Sequence, residues 1–143
     1  MALSDRFTEA CNMDNHSPRI RLLIVDDEPD MVETVHKMLE PMGFDIHHAY
    51  DGDEAIELAY RIRPHLVVLD VMMPEQDGWL VCAKLKAVEP TPRIVIFTVL
   101  KHGEADRFAS FVHADAIVHK PFTKQQLLDA IEGANPQNMT QSN

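Results

Sequence analysis

The sequence predicts an α/β protein whose parallel sheet of five strands is covered by five helices. Two observations favour this fold class. Five short apolar runs alternate along the chain with segments in which apolar residues recur every three or four positions. The central run, 66–69, contains apolar residues alone and lies between Pro64 and Pro74, which is typical of a strand buried on both faces. Such alternation implies right-handed crossovers and helices on both sides of the sheet.

Two strand–helix units precede the central strand. A strand over 20–25 is followed by Pro29, which suits the first turn of a helix. This helix stops at Gly43, and a second strand over 44–49 leads to a helix opened by the acidic segment 51–54. The inward positions of these two helices are Val32, Val35, Leu39 and Met42, then Ala55, Leu58, Ala59 and Ile62.

The rest of the fold follows in the same order. The central strand ends at Asp70, and Asp77-Gly78 opens the third helix. A strand over 93–98 leads to a fourth helix, and a short strand over 116–118 leads to the last one. The inward positions of these three helices are Val81, Cys82, Leu85 and Val88, then Ala105, Phe108, Ala109 and Val112, and finally Leu127, Leu128 and Ile131.

The length of 143 residues suits a single domain, and an apolar fraction of 45% suffices for a core. Both ends of the chain are polar and aperiodic. We therefore expect a flexible leader over 1–19, one domain over 20–133 and a disordered tail over 134–143.

Charge and cysteine content restrict the partners and the compartment. A net charge of −10 argues against nucleic acid as a direct partner, because phosphate backbones select basic surfaces. No apolar run is long enough to span a membrane, and the first residues lack the apolar core of a signal peptide. The two cysteines, Cys11 and Cys82, form no disulfide framework. These features predict a cytoplasmic protein.

Polar side chains stand at the ends of four of the predicted strands. The first strand ends in Asp26-Asp27, the central strand in Asp70, the fourth in Thr98, and the fifth runs into Lys120. Because the carboxyl ends of parallel strands lie along one edge of the sheet, we expect three carboxylates, a hydroxyl and an ammonium around one crevice.

This set of groups predicts magnesium and phosphoryl chemistry. Neighbouring carboxylates repel one another unless a cation lies among them, and Mg²⁺ prefers carboxylate, phosphate and water oxygens. A bound metal draws electron density from an incoming phosphoryl group, and a carboxylate can attack that group to give an acyl phosphate. In this scheme Lys120 neutralises charge, and Thr98 donates a hydrogen bond to a phosphoryl oxygen.

Each of these residues taken alone has an ordinary structural explanation. An Asp-Asp pair before a helix serves as an N-cap, Thr98 suits a strand, and Lys120 suits the surface. The eight histidines show no spacing typical of a metal site. Only the conjunction of polar groups at successive strand ends favours the chemical interpretation.

The same motifs resemble the receiver domain of bacterial response regulators. They are Val25-Asp26-Asp27-Glu28-Pro29, Asp70-Val71-Met72-Met73-Pro74 with Asp77-Gly78, Phe97-Thr98, and Lys120-Pro121-Phe122. The resemblance covers roughly residues 20–133 and implies a flavodoxin-like fold with the strand order 2-1-3-4-5. It also implies a stand-alone regulator of the chemotaxis type within a two-component system or phosphorelay, whose only catalysis is its own phosphotransfer and dephosphorylation.

The resemblance also implies roles for individual residues. Asp70 would accept a phosphoryl group from a phosphohistidine of a sensor kinase or phosphotransfer protein. Asp27, Asp70 and the backbone carbonyl of Met72 would hold Mg²⁺, and Asp26 would assist through water. Thr98 and Lys120 would contact the phosphoryl group, and the Lys120–Pro121 peptide would be cis.

An output partner is expected to dock on the fourth helix, fifth strand and fifth helix. The docking residues implied by the resemblance are Phe108, Phe111, Ile117 and His119. The resemblance is compatible with a monomer or with a dimer linked to phosphorylation.

Three positions depart from the family pattern. The family usually has an aromatic residue where Ile117 stands, a small residue where Val99 stands and a glycine where His113 stands. Ile117 removes the ring that moves inward with the threonine, Val99 narrows access to Asp70, and a left-handed turn at His113 would carry strain.

Two other functions remain open on sequence grounds. The three departures suit a receiver fold kept as an interaction module without phosphorylation. A metal-dependent phosphatase with an aspartate nucleophile is the other alternative, although such enzymes usually carry a second acid where this chain has Met72, and they also need a cap domain.

Overall fold

The computed structural model describes residues 19–73, 76–99, 107, 109 and 112–134. Strands and α-helices alternate over residues 21–98, as the sequence predicts. The elements are β1 (Arg21–Val25), α1 (Pro29–Leu39), a 3₁₀ turn (Glu40–Met42), β2 (Asp45–Ala49), α2 (Gly52–Ile62), β3 (Leu66–Asp70), α3 (Gly78–Lys86), β4 (Arg93–Thr98), β5 (Ala116–His119) and α4 (Lys124–Ala134).

The five strands form one parallel sheet in the order β2-β1-β3-β4-β5. This arrangement confirms the strand order and the flavodoxin-like topology expected from the resemblance. Val25 of β1 pairs with Leu69 of β3, and Asp70 pairs with Phe97 of β4. The carboxyl ends of the three inner strands therefore lie side by side.

The described residues contain four α-helices, whereas the sequence predicts five. The predicted helix that is not among these four is the one around residues 105–112. Most of that segment lies outside the described residues, although Arg107 and Ala109 are both helical. None of the helices in the described part of the chain has the length and apolar character needed to cross a membrane.

The sheet separates two apolar cores. On one face, α1 and α4 cover alternate residues of the strands, and on the other face α2 and α3 cover the remaining ones. Leu66–Asp70 is buried along its whole length, which explains why its sequence shows no alternation of apolar and polar residues.

Gly78 brings the start of α3 against the strand that carries Asp70. A Cβ atom at this position would overlap the backbone of Val71, directly after β3. The Asp77 side chain caps the helix by accepting hydrogen bonds from the backbone N–H groups of Trp79 and Leu80. The Asp77-Gly78 pair therefore begins the helix and also fixes the loop beside Asp70.

Candidate functional site

Three carboxylates meet at the carboxyl edge of the sheet. Asp26 and Asp27 follow β1, and Asp70 ends β3, two strands that are neighbours in the sheet. One oxygen atom from each of these side chains lies within 4.8 Å of the other two. The structure thus brings together the acidic residues that the sequence predicts for a common crevice.

Asp70 is held on both of its oxygen atoms. It is only 2% exposed, Oδ1 accepts a hydrogen bond of 2.8 Å from the backbone N–H of Met72, and Oδ2 accepts one of 3.0 Å from Lys120 Nζ. The Met72 side chain is exposed beside it. Whether the Met72 carbonyl binds metal stays a prediction.

Lys120 brings a positive charge into the acidic cluster from the end of β5. Its Nζ lies 3.8 Å from Asp26 Oδ2 and 4.8 Å from the centre of the Phe97 ring. The Lys120 backbone N–H donates a hydrogen bond of 2.7 Å to the carbonyl oxygen of Thr98, and the Lys120–Pro121 peptide is cis, as expected. The backbone and the ring together aim the ammonium at the carboxylates.

Asp26 is the most deeply buried of the three carboxylates. It is fully buried, and its Oδ1 accepts a hydrogen bond of 3.0 Å from the backbone N–H of Glu28. Its Oδ2 has no hydrogen-bond partner within the described residues. Burial and then the charge of Asp70 raise the pKa of Asp26 to about 7, against the lowering effects of the Glu28 N–H and of Lys120.

The acidic cluster fits a Mg²⁺ ion. Asp26 and Asp70 share the Lys120 ammonium, and Asp27 adds a third carboxylate to the cluster. A buried carboxylate oxygen of Asp26 also lacks a hydrogen-bond donor among the described residues. Oxygen atoms of this kind are the ligands that Mg²⁺ selects. Asp27 is exposed and also lines a cavity of about 380 Å³, so the cluster is accessible from solvent on that side.

Thr98 is the last residue of β4 and is fully buried. It directly follows Phe97, the residue that pairs with Asp70 across the sheet. The strand register therefore places Thr98 at the same edge as the three carboxylates, where the sequence predicts it. Val99, the next residue, has a side chain that is 63% exposed.

The expected docking residues are described only in part. Ile117 and His119 are half-buried on β5, and they line a groove of about 590 Å³ beside α4. Phe108 and Phe111 lie outside the described residues. His113 adopts a left-handed conformation with φ of 62°, at a position where the family usually has glycine.

The sequence analysis assigns no role to two contacts that the structure shows. The Phe97 ring supports the Lys120 ammonium, and the position of Phe97 at the end of β4 is the signal that places it there. His36 and His48 are in contact across α1 and β2, although their separation in sequence gives no metal-site spacing.

The comparisons with known proteins agree with this arrangement of residues. Residues 22–132 match the family described as the response regulator receiver domain. The chain belongs to this family. The receiver domain is a component of two-component systems, and receiver domains bind Mg²⁺ at an acidic pocket. The cluster of Asp26, Asp27 and Asp70 in this chain could hold such an ion.

Solved receiver structures share the fold. The chemotaxis protein CheY4 of Vibrio cholerae is 24% identical with a TM-score of 0.75, and the match covers 82% of this chain and 99% of that one. A CheY-like receiver domain protein of Methanospirillum hungatei is 22% identical with a TM-score of 0.78, covering 87% and 100%. The receiver domain of a signal transduction histidine kinase of Syntrophus aciditrophicus is 29% identical with a TM-score of 0.70, covering 78% and 86%.

Proposed function

We propose that this receiver domain accepts a phosphoryl group on Asp70 from a phosphohistidine and transmits the signal through a partner protein. The observation that carries the proposal is the position of Asp70. It is a nearly buried carboxylate with two other carboxylates and one ammonium around it. A surface aspartate lacks these neighbours, which are the groups that phosphoryl transfer requires.

The transfer step forms one bond and breaks another. An oxygen of Asp70 attacks phosphorus as the bond between phosphorus and the imidazole nitrogen of the donor breaks. The imidazole nitrogen keeps the electron pair of that bond, and Asp70 becomes an acyl phosphate. Because Asp70 Oδ1 accepts from the Met72 N–H and Oδ2 accepts from Lys120, the carboxylate is oriented before the donor arrives.

The other carboxylates are proposed to hold Mg²⁺. Asp26, Asp27 and Asp70 supply oxygen atoms for it, with the Met72 carbonyl as a further expected ligand. When bound, the ion neutralises charge on the phosphoryl oxygens. Lys120 contributes a second positive charge from the other side of Asp70, and the Thr98 hydroxyl is proposed to donate to a phosphoryl oxygen.

The output is proposed to follow from the same contacts. Lys120 follows β5, and its backbone N–H is bonded to Thr98 at the end of β4. A phosphoryl group on Asp70 that attracts the side chains of Lys120 and Thr98 therefore pulls on the ends of two adjacent strands, β5 and β4. The groove beside Ile117 and His119 adjoins Lys120 and is the surface on which we place the output partner.

A small-molecule phosphodonor tests the proposal without a cognate kinase. The protein is incubated with phosphoramidate and Mg²⁺ and is then analysed by intact mass spectrometry. We expect an increment of one phosphoryl group in the wild type, stable in acid and lost in alkali. The increment is absent without Mg²⁺ and absent in Asp70→Asn.

Asp77→Asn is the matched control. Asp77 lies in the same loop region, but its side chain caps α3 instead of entering the cluster. This variant should be phosphorylated like the wild type. Equal labelling of the wild type and Asp70→Asn would refute the proposal, as would no labelling of the wild type.

A further inference from the structure

Two histidines meet on the side of the sheet covered by α1, outside the acidic cluster. His36 lies on α1 and His48 on β2, and His36 Nδ1 is 2.6 Å from His48 Nε2. The ring centres are 4.8 Å apart, and the ring planes meet at 61°. Two imidazole nitrogens therefore face each other directly, at an angle that keeps the rings from stacking.

A carboxylate lies next to the other nitrogen of His36. Glu40 Oε2 is 3.6 Å from His36 Nε2, one helical turn further along the chain. A carboxylate at this position favours a proton on Nε2 and leaves the lone pair on Nδ1, the atom that faces His48. Metal-binding histidines commonly have such a carboxylate beside their outer nitrogen.

We propose that His36 Nδ1 and His48 Nε2 form a binding site for a transition-metal dication such as Zn²⁺, Ni²⁺ or Cu²⁺. Imidazole nitrogens suit these borderline ions, whereas Mg²⁺ prefers the oxygen atoms of the acidic cluster. Two nitrogens bound to one tetrahedral zinc ion are roughly 3.3 Å apart, so the rings need to separate by less than about 1 Å.

The surroundings of the two rings favour an uncharged His48 and leave room for water ligands. Burial, followed by the neighbouring His36 and His47, lowers the pKa of His48, which favours the uncharged form of its ring. One of the two facing nitrogens carries the hydrogen of a hydrogen bond between the rings, and a bound metal ion would replace that proton. The two rings line a cavity of about 450 Å³ together with Glu33, Lys37, Glu40 and Tyr50. Within the described residues no third nitrogen or carboxylate oxygen joins the pair, so water completes the coordination.

A bound ion would connect α1 to the edge strand β2. At metal concentrations above the dissociation constant, the free energy of unfolding would rise with the logarithm of the metal concentration. None of its residues belongs to the acidic cluster, so the site is distinct from the proposed phosphorylation site.

Zinc titration tests the site on the full chain. Affinity is measured by calorimetry in an Asp27→Asn background, which weakens competition from the acidic cluster. We expect a binding step that His36→Gln and His48→Gln each weaken at least about tenfold. His47→Gln is the matched control, because alternation along β2 directs its ring to the opposite face of the sheet, and it should weaken the step far less than either of the other two variants.

Two further measurements cover the case in which a histidine variant folds poorly. Glu40→Gln alters a mostly exposed side chain, with 71% exposure, and should weaken zinc binding without unfolding the chain. Cu²⁺ bound to the protein without histidine substitutions should show hyperfine coupling to two nitrogens in electron paramagnetic resonance. His36→Gln should remove the coupling to one of these nitrogens. Equal zinc affinity in His36→Gln, His48→Gln and His47→Gln, or no zinc step at all, would overturn the proposal.

Discussion

Lys120 Nζ donates a hydrogen bond of 3.0 Å to Asp70 Oδ2, and the two residues are fifty positions apart in the chain. The contact joins the ends of β3 and β5, which are separated in the sheet by β4. The charge of Asp70 therefore helps to hold the strand ends together at this edge of the sheet. A phosphoryl group placed on Asp70 would compete directly for the same ammonium.

Replacement of Lys120 tests how much this contact stabilises the fold. In Lys120→Met, the carboxylates of Asp26 and Asp70 lose their ammonium, and we expect a loss of about 3 kcal/mol in the free energy of unfolding without Mg²⁺. Saturating Mg²⁺ should recover part of that loss, and magnesium affinity should rise because the competing charge is gone. Urea denaturation at neutral pH with and without Mg²⁺ measures both effects.

Lys37→Met is the control for that experiment. The Lys37–Glu33 pair has a shorter N–O distance than the Lys120–Asp26 pair, but its side chains are 71% and 64% exposed. An exposed pair of this kind contributes at most about 1 kcal/mol. Equal losses in the two variants would contradict a structural role for Lys120 in the acidic cluster.

Asp27 should be essential for magnesium binding although it is exposed. Asp27→Asn removes one of three clustered carboxylates, and we expect magnesium affinity to fall at least about tenfold in calorimetry. Asp53→Asn is the comparison, since Asp53 lines the same cavity but stands outside the cluster. A comparable fall in Asp53→Asn would mean that the general negative field, and not coordination, binds the ion.

Asp26 should make stability depend on pH in the absence of magnesium. Its pKa is about 7 in the folded protein against an ordinary value of 3.8, so the folded state holds the proton more tightly than the unfolded state. The stabilising contribution is therefore fully present below about pH 4 and is lost as pH rises through about 7.

The variant Asp26→Asn isolates that contribution. Relative to the wild type, it should be little changed at pH 4 and more stable by on the order of 2–4 kcal/mol at pH 8, measured by urea denaturation without Mg²⁺. A difference between the two proteins that does not vary with pH would show that Asp26 titrates normally.

Gly78 should be intolerant of any side chain. In Gly78→Ala the new Cβ overlaps the Val71 backbone, and we expect a loss of about 3 kcal/mol in thermal or urea denaturation. Gly133 lies within α4 with nothing near the position of a Cβ. Gly133→Ala should therefore stabilise the protein by about 0.5–1 kcal/mol. Similar effects of the two substitutions would disprove the proposed close approach at Gly78.

The sequence predicts most of the sheet and of the acidic cluster for a simple reason. A strand buried on both faces, such as Leu66–Asp70, must be continuously apolar, and its first polar residue marks the edge of the core. Parallel topology then brings Asp26, Asp70 and Thr98 to one edge of the sheet without any knowledge of loop structure.

Contacts between distant side chains could not be predicted in this way. Asp115 accepts hydrogen bonds from Lys86 and Arg93 at the opposite edge of the sheet, and these residues lie on three different segments. The His36–His48 contact likewise depends on how α1 crosses β2. Periodicity places each residue on a face of its element, but the crossing of a helix over a strand decides which side chains touch.

Chemical trapping of the phosphorylated residue tests the central claim most directly. After incubation with phosphoramidate and Mg²⁺, borohydride reduces an aspartyl phosphate to homoserine, which peptide mass spectrometry locates in the sequence. The account predicts homoserine at position 70 alone, and none without Mg²⁺. Homoserine at another aspartate, or none in protein that carries the phosphoryl increment, would contradict Asp70 as the phosphoacceptor.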